Sequence, residues 1–336
     1  MKKQLHIGLM ISLLVTFFCG NVLLAADHTL KLAHNMPPKA DASYHVWFLD
    51  FADLAKKYTN GAVELKEFPA AQMGTDTVAA KKVQMGAVEM QIVAANNLAS
   101  LYNGFDLFTL PFLIKSEQCG VEKVLSDDAL REMISKEAEE KANIRVLSWS
   151  YAGMRNMMNS KHAILKPEDL KGLRMRVAKN PILLDTYKAL GGSPIGIASK
   201  ETYSALQTKV VDGNDGGVAW AYANKFYEVQ NYYTITGHQM VFMPMIINNK
   251  IFMGLPEAVQ KGLQKAALES AANNRQYMLK KGIEMVADMG KKGLEIARPD
   301  LTAFRGAVRP VWEKYAERVG GMKRIESVLD LQADCK

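Results

Sequence analysis

Apolar and polar residues alternate with period two over residues 29–33, the pattern of a half-buried strand, and His34-Asn35-Met36-Pro37-Pro38 breaks it. Tyr44, Trp47, Phe48, Phe51 and Leu54 then recur at helical spacing with Asp50, Asp53, Lys56 and Lys57 between them, and Gly61 closes that helix. Residues 63–68 alternate again until Pro69. Thr75-Asp76 is placed to cap a helix reaching Met85-Gly86, and residues 88–93 read as a third strand. Strands alternating with helices at this spacing predict an α/β fold, a parallel sheet covered by helices. Ligands of such sheets bind beyond the carboxyl ends of the strands. That rule selects His34-Asn35, the stretch from Gln72 to Asp76, and Asn96-Asn97, although turns and helix caps use the same residue types.

Residues 98–114 are apolar and aromatic and predict a buried connection. A charged helix follows over about 116–141, and a strand over 144–150. At Gly153-Met154-Arg155 the chain is expected to cross into a second domain. There the pattern gives a strand around Arg176, a helix over 181–190, a turn at Gly191-Gly192-Ser193-Pro194 and a helix over 200–208. Residues 209–213 read as a strand ending in a turn. Asn214-Asp215-Gly216-Gly217 then sets two polar side chains beside glycines that permit close backbone approach, and Trp220 begins the next helix. Residues 232–237 and 240–248 return across the domains. From Leu255-Pro256-Glu257 a helical period runs to about Leu294, and such a helix is too long for one small domain, so it should lie across both. The expected division is residues 27–150 with about 240–275 in domain I, and 151–239 with about 276–336 in domain II.

At 336 residues the chain suits two domains of ordinary size, and its 49% hydrophobic and 23% charged residues are those of a soluble globular protein. Lys2 and Lys3 precede an apolar run ending at Ala25-Ala26-Asp27, the outline of a cleavable secretory leader over residues 1–26. An uncleaved membrane anchor is the alternative. Loss of Lys2 and Lys3 takes the formal charge from +7 to +5. That mild excess suits anionic ligands or solubility, and the chain lacks the clustered basic stripe of a nucleic-acid binder. Cys119 and Cys335 remain after the leader; an exported pair can be bridged, but the sequence leaves their pairing open. The six histidines are scattered without metal-ligand spacing, so neither a metal nor a cofactor is expected.

The stretch Pro167-Glu168-Asp169-Leu170-Lys171-Gly172-Leu173-Arg174-Met175-Arg176-Val177 carries the most specific chemistry. If Leu173, Met175 and Val177 face the core, Arg174 and Arg176 share the other face. An arginine on a rigid strand is suited to gripping a carboxylate with two parallel charge-assisted hydrogen bonds, the alternative being a solvated strand edge. Trp149, Tyr151 and Trp220 adjoin the candidate loops and could stack on a ligand or pack in the core. Met154, Met157, Met158, Met240, Met243 and Met245 could likewise soften a pocket wall or simply pack.

Phe68-Pro69-Ala70-Ala71-Gln72-Met73-Gly74, Leu110-Pro111-Phe112, Gly153-Met154-Arg155, Asp169 to Val177, Glu201-Thr202-Tyr203-Ser204-Ala205-Leu206-Gln207, Val211-Asp212-Gly213 and Lys225-Phe226-Tyr227-Glu228-Val229 occur in order. Together they resemble the solute-binding subunits of TRAP transporters, the tripartite ATP-independent periplasmic carriers. The resemblance implies a two-domain periplasmic-binding-protein fold with a hinge, closing over a small organic anion. It further implies delivery to small and large integral membrane subunits, with the binding protein a monomer in the periplasm. It assigns Arg176 the bidentate bridge to a ligand carboxylate and Arg155 an assisting role, leaving Arg174 as surface charge. The full candidate set is Arg176, Arg155, Asn97, Asp215, Asn214, Trp220, Asn35, Asp76 and Trp149.

Two departures narrow the ligand. Many relatives carry Gln-Glu-Asn-Pro where this chain has Asn214-Asp215-Gly216-Gly217, so an amide that often touches ligand is missing at Gly216. Sialate binders carry charge in the loop that here reads Ala94-Ala95-Asn96-Asn97, which argues against sialate. Two other functions fit the same resemblance less well: presentation of a ligand to a membrane sensor, and an exported enzyme acting on carboxylates. The latter lacks a convincing nucleophile, metal set or Gly-x-Ser-x-Gly elbow.

Overall fold

The computed structural model describes residues 26–335, so the expected leader lies outside the described residues except for its last position. No helix among the described residues is long and apolar enough to cross a membrane. The first strands and helices follow the hydrophobic pattern closely: β1 (His28–Ala33), α1 (Ser43–Tyr58), β2 (Val63–Phe68), α2 (Asp76–Met85) and β3 (Met90–Ile92). Gly86 ends α2 in the left-handed conformation, with φ +77°. β1 lies between β2 and β3 and is parallel to both.

The expected helix over 116–141 is broken. A short α3 (Glu117–Cys119) runs into a π turn at Gly120–Val124, and α4 (Asp128–Ala142) starts afresh where the Asp127 carboxylate accepts from the Leu130 amide at 2.7 Å. Beyond it β4 (Ile144–Asn159) is one strand of 16 residues, longer than its expected 144–150. Four elements follow in alternation: β5 (Arg174–Val177), α5 (Pro181–Ala189), β6 (Ser193–Gly196) and α6 (Thr202–Gln207). β6 replaces the turn expected at Gly191 to Pro194; proline is tolerated there because β6 is an edge strand.

The strand expected over 209–213 lies further on, as β7 (Gly213–Gly217), in a stretch whose composition disfavours strand. Packing explains the override. A Cβ on Gly213 would stand 2.3 Å from the Met158 carbonyl oxygen, and one on Gly217 would stand 2.6 Å from that of Ala152. Only glycine lets β7 sit this close to β4. The chain then continues through α7 (Val218–Ala223), β8 (Tyr232–Asn248), α8 (Asn249–Gly254), α9 (Glu257–Lys291), β9 (Glu295–Ala297), α10 (Thr302–Tyr315) and α11 (Met322–Asp330).

The strands form one nine-stranded sheet in the order β2-β1-β3-β8-β4-β7-β5-β6, with β9 alongside β8. The sheet is mixed. Its two ends are parallel, as expected, but β4 and β8 are antiparallel and run together from Ile144↔Asn248 to Asn159↔Tyr232. Their register slips at three places, one of them between Tyr151 and Met154 beside the left-handed Gly153. These bulges cluster in the middle of β4, around the position where the sequence predicts the crossing between domains.

Helix α9 has 35 residues and spans about 52 Å at about 1.5 Å per residue. Its first half, including Leu263, Ala266, Ala267 and Ala271, packs in a core with Trp47, Phe51, Met90 and Met245. Its second half, Met278, Met285 and Met289, enters a separate core with Phe226, Tyr233 and Phe304. Gly262 allows α1 to approach closely, since a Cβ there would meet the Tyr58 carbonyl oxygen at 2.6 Å. The Trp47 indole donates to Ser270 Oγ at 3.0 Å across the same contact.

Cys119 and Cys335 form a disulfide, with Cα atoms 6.1 Å apart and 216 positions of sequence between them. Gln332 secures the same junction by accepting from the Lys115 amide and donating to the Leu113 carbonyl. Because the closed loop is long, Cys335→Ser is expected to lower the unfolding free energy by about 2–5 kcal/mol. Denaturant titration checks this; a reductant should lower the midpoint of the native chain and leave that of the variant unmoved.

Candidate functional site

A cavity of about 300 Å³ opens between the carboxyl ends of the parallel strands of the two lobes. Arg176 on β5 and Arg155 on β4 form one part of its wall. Asn35, Asp76 and Asn97, from the ends of β1 and β3 and the start of α2, face them, and Trp220 on α7 closes a side. Six of the nine residues selected from the sequence therefore meet at one place.

The two arginines differ in electrostatic state. Arg155 Nε and Nη2 donate to the two carboxylate oxygens of Asp215 at 2.9 and 2.6 Å, a bidentate pair. Asp215 Oδ2 also accepts from His238 Nε2 at 3.2 Å, and His238 Nδ1 in turn accepts from the Thr236 hydroxyl at 2.7 Å. Burial alone would raise the Asp215 pKa; the Arg155 charge and the His238 hydrogen bond outweigh it and hold the carboxylate well below its usual range. Burial pushes His238 below the ordinary imidazole value, which keeps the ring neutral at pH 7.

Arg176 is 3% exposed and makes no salt bridge among the described residues. Its Nε and Nη2 both donate to the Ile197 carbonyl, at 3.0 and 2.8 Å, and its guanidinium carbon lies 4.8 Å from the centre of the Trp220 ring. Trp220 is fixed by donating its indole N–H to Ser199 Oγ at 2.7 Å. Burial lowers the Arg176 pKa to about 10, against the attraction of Asp215 and Asp76, so the group stays charged at neutral pH without a direct salt-bridge partner among the described residues. The strand alternation holds: Arg174, on the same face, reaches solvent and pairs with Asp212 at 2.9 Å.

Asp76 dominates the opposite wall. Its Oδ2 accepts from Asn35 Nδ2 at 2.7 Å and Asn97 Nδ2 at 3.2 Å, while Gln91 donates to its backbone carbonyl at 3.1 Å. Its Oδ1 is buried with no hydrogen-bond partner. Desolvation raises its pKa to about 6, against the pull of Asn35 and Arg176. The carboxylate is thus ionised at neutral pH and holds one unused acceptor.

Three of the selected residues fall elsewhere. Asp215 does not line the cavity but lies behind Arg155 as its counter-ion. Asn214 is fully buried away from the cavity wall, with neither side-chain polar atom hydrogen-bonded. Trp149 packs between Phe105 and Phe108, at ring distances of 6.0 and 5.3 Å, and belongs to the core. The six methionines near the long strands also stay out of the cavity wall.

Tyr44, Thr75, Lys179, Ser199 and Lys200 also line the cavity; Thr75 lies in the selected stretch from Gln72 to Asp76, and the other four were not selected. Lys179 follows β5, and Ser199 and Lys200 follow β6, so the strand-end rule finds them once β6 is seen as a strand. Tyr44 gave no such signal because it reads as one more apolar position of α1. At Gly216, where an amide is missing, the Trp220 ring fills the space: a Cβ there would lie 2.3 Å from its Cε3.

Asp215→Ala leaves Arg155 buried without a counter-charge and is expected to cost about 3–5 kcal/mol of stability, measured by denaturant unfolding. The contribution of Asp215 is present above the ordinary aspartate value of about 4. Since its folded pKa lies lower, native stability should fall as pH drops below that value, and less steeply in the variant.

Residues 32–318 match the family model described as bacterial extracellular solute-binding protein, family 7. The C4-dicarboxylate-binding periplasmic protein DctP of Rhodobacter capsulatus is 31% identical over 302 residues, covering 88% of this chain and 89% of the relative. A TRAP periplasmic solute-binding protein from a Polaromonas species, solved with D-erythronate, superposes with a TM-score of 0.85 at 26% identity, over 90% of this chain and 98% of that one. The sugar acid binding protein of Advenella mimigardefordensis, solved with galactonate, gives 0.86 at 25% identity, over 93% and 100%. With the family model spanning most of its length, the chain belongs to the bacterial extracellular solute-binding proteins of family 7, the DctP family.

Proposed function

We propose that this chain is the periplasmic solute-binding subunit of a TRAP transporter, and that it captures a small hydroxylated monocarboxylate between its lobes. The observation that carries the reading is Arg176. A guanidinium buried without a direct salt-bridge partner is unfavourable, and a carboxylate entering the cavity supplies that partner. Arg176 Nη1 has no protein acceptor among the described residues and is available to the ligand, while the stacked Trp220 keeps the fork in place. Arg155, already neutralised by Asp215, offers N–H groups without adding net charge.

Asp76 supports the narrower ligand class. Its unpartnered oxygen suits a hydroxyl donor, and its charge opposes a second carboxylate at that end of the cavity. The relatives solved with D-erythronate and galactonate hold ligands of this kind.

Capture proceeds by closure of a lobe of residues 27–150 with about 240–275 onto one of 151–239 with about 276–336. The bend lies on the bulged parts of β4 and β8. The ligand biases the closed state because only there does it touch both Arg176 and Asp76. The loaded protein, a monomer exported by its 1–26 leader, then delivers the acid to the small and large integral membrane subunits.

Calorimetry with galactonate and succinate tests the reading. Galactonate should bind with saturation, and Arg176→Ala should weaken it by about 100-fold or more. Unchanged binding in that variant overturns the assignment of the site. Asp76→Asn should reduce the preference for galactonate over succinate by about tenfold. Galactonate affinity should fall as pH is lowered through about 6, where Asp76 takes up its proton, and this dependence should vanish in Asp76→Asn.

A further inference from the structure

We propose that His34, His45 and Glu67 form a binding site for a divalent transition-metal ion of the zinc class. No member of this trio lines the carboxylate cavity, so the inference does not rest on the ligand reading.

The three side chains are far apart in sequence and are gathered by the fold. β1 and β2 pair in parallel with Leu32 opposite Glu67, which sets His34, just past β1, next to the end of β2. The first turn of α1 then lowers His45 onto the same point. His34 Nε2 lies 2.7 Å from Glu67 Oε1, and His45 Nδ1 lies 2.6 Å from that same oxygen. All three donor atoms fall within 4.8 Å of one another.

In the metal-free state each imidazole donates an N–H to the carboxylate. Among the described residues no lysine or arginine pairs with Glu67, so its charge is free to meet a cation. His34 Nδ1 has no hydrogen-bond partner, and moving the ring proton there to expose the Nε2 lone pair breaks no second contact.

Two imidazoles and one carboxylate are donors for zinc and its neighbours in the first transition row, whereas calcium and magnesium prefer oxygen alone. Zinc bonds of about 2.0–2.1 Å place tetrahedral donors roughly 3.3 Å apart. Opening the two observed contacts to that spacing requires side-chain shifts below about 1 Å. The His34 side chain is wholly buried while those of His45 and Glu67 are each 16% exposed. The site therefore opens to solvent on one side, which gives an entry path and a place for water as fourth ligand.

The test is calorimetric titration of the full chain, stripped with chelator and free of organic acids, with Zn²⁺. The expected result is one ion per chain, with affinity weakened by at least about tenfold in His45→Ala and, separately, in Glu67→Gln. His162→Ala, which removes an exposed imidazole elsewhere, should leave binding unchanged. Cobalt substitution should give the visible absorption of a four-coordinate ion in the native chain and lose it in both site variants. Circular dichroism establishes that each variant is folded. Absence of binding up to about 100 μM Zn²⁺, or binding equally strong in His45→Ala and Glu67→Gln, overturns the proposal.

Discussion

Two guanidinium groups are buried in one cleft, and the protein supplies a carboxylate for only one of them. Arg155 is locked to Asp215, with His238 and Thr236 behind it, while Arg176 rests on the Ile197 carbonyl and the Trp220 ring. The paired arginine needs nothing further to be stable. The other has no carboxylate in direct contact, only Asp76 and Asp215 at longer range, and much of the architecture holds it in place. β5 carries it on a rigid strand, β7 is stripped to glycine so that β4 and its Arg155 can come close, and Asp76 faces it from the other lobe.

The same imbalance explains why selectivity and closure are linked. An acid that satisfied Arg176 alone would bind the open cleft as well as the closed one and shift no equilibrium. Asp76, on the opposite lobe, makes the difference. Its free oxygen has no protein partner, and in the proposed function a ligand hydroxyl would satisfy it on closure, so one group would both screen the ligand and reward closure. The mild positive balance of the chain and the exposed Lys179 and Lys200 at the cavity favour approach by anions without choosing among them.

Much of this was legible in the sequence, for identifiable reasons. β1 to β3 and α9 follow hydrophobic periods that local burial enforces, and the strand-end rule placed Asn35, Asp76 and Asn97 at one site. The alternation around Met175 set Arg174 and Arg176 on one face, and the family resemblance, not the spacing, singled out Arg176. Legibility failed where tertiary contact overrides local preference. Gly213 to Gly217 looks like a turn, and only the nearness of Met158 and Ala152 makes it a strand. Asp215 looked like a ligand contact because a buried counter-ion and a binding residue have the same composition. Trp149 and Trp220 could not be told apart by type, and packing sent one to the core and the other to the cleft. His34, His45 and Glu67 share no spacing that any linear motif would reveal.

The bridge between Cys119 and Cys335 also bears on how the molecule is made. One of its sulfurs belongs to residue 335, so the cross-link cannot close until that residue has been synthesised. Everything between the two cysteines is therefore made before the bridge can form, so the covalent closure is a late event that locks together segments far apart in the chain.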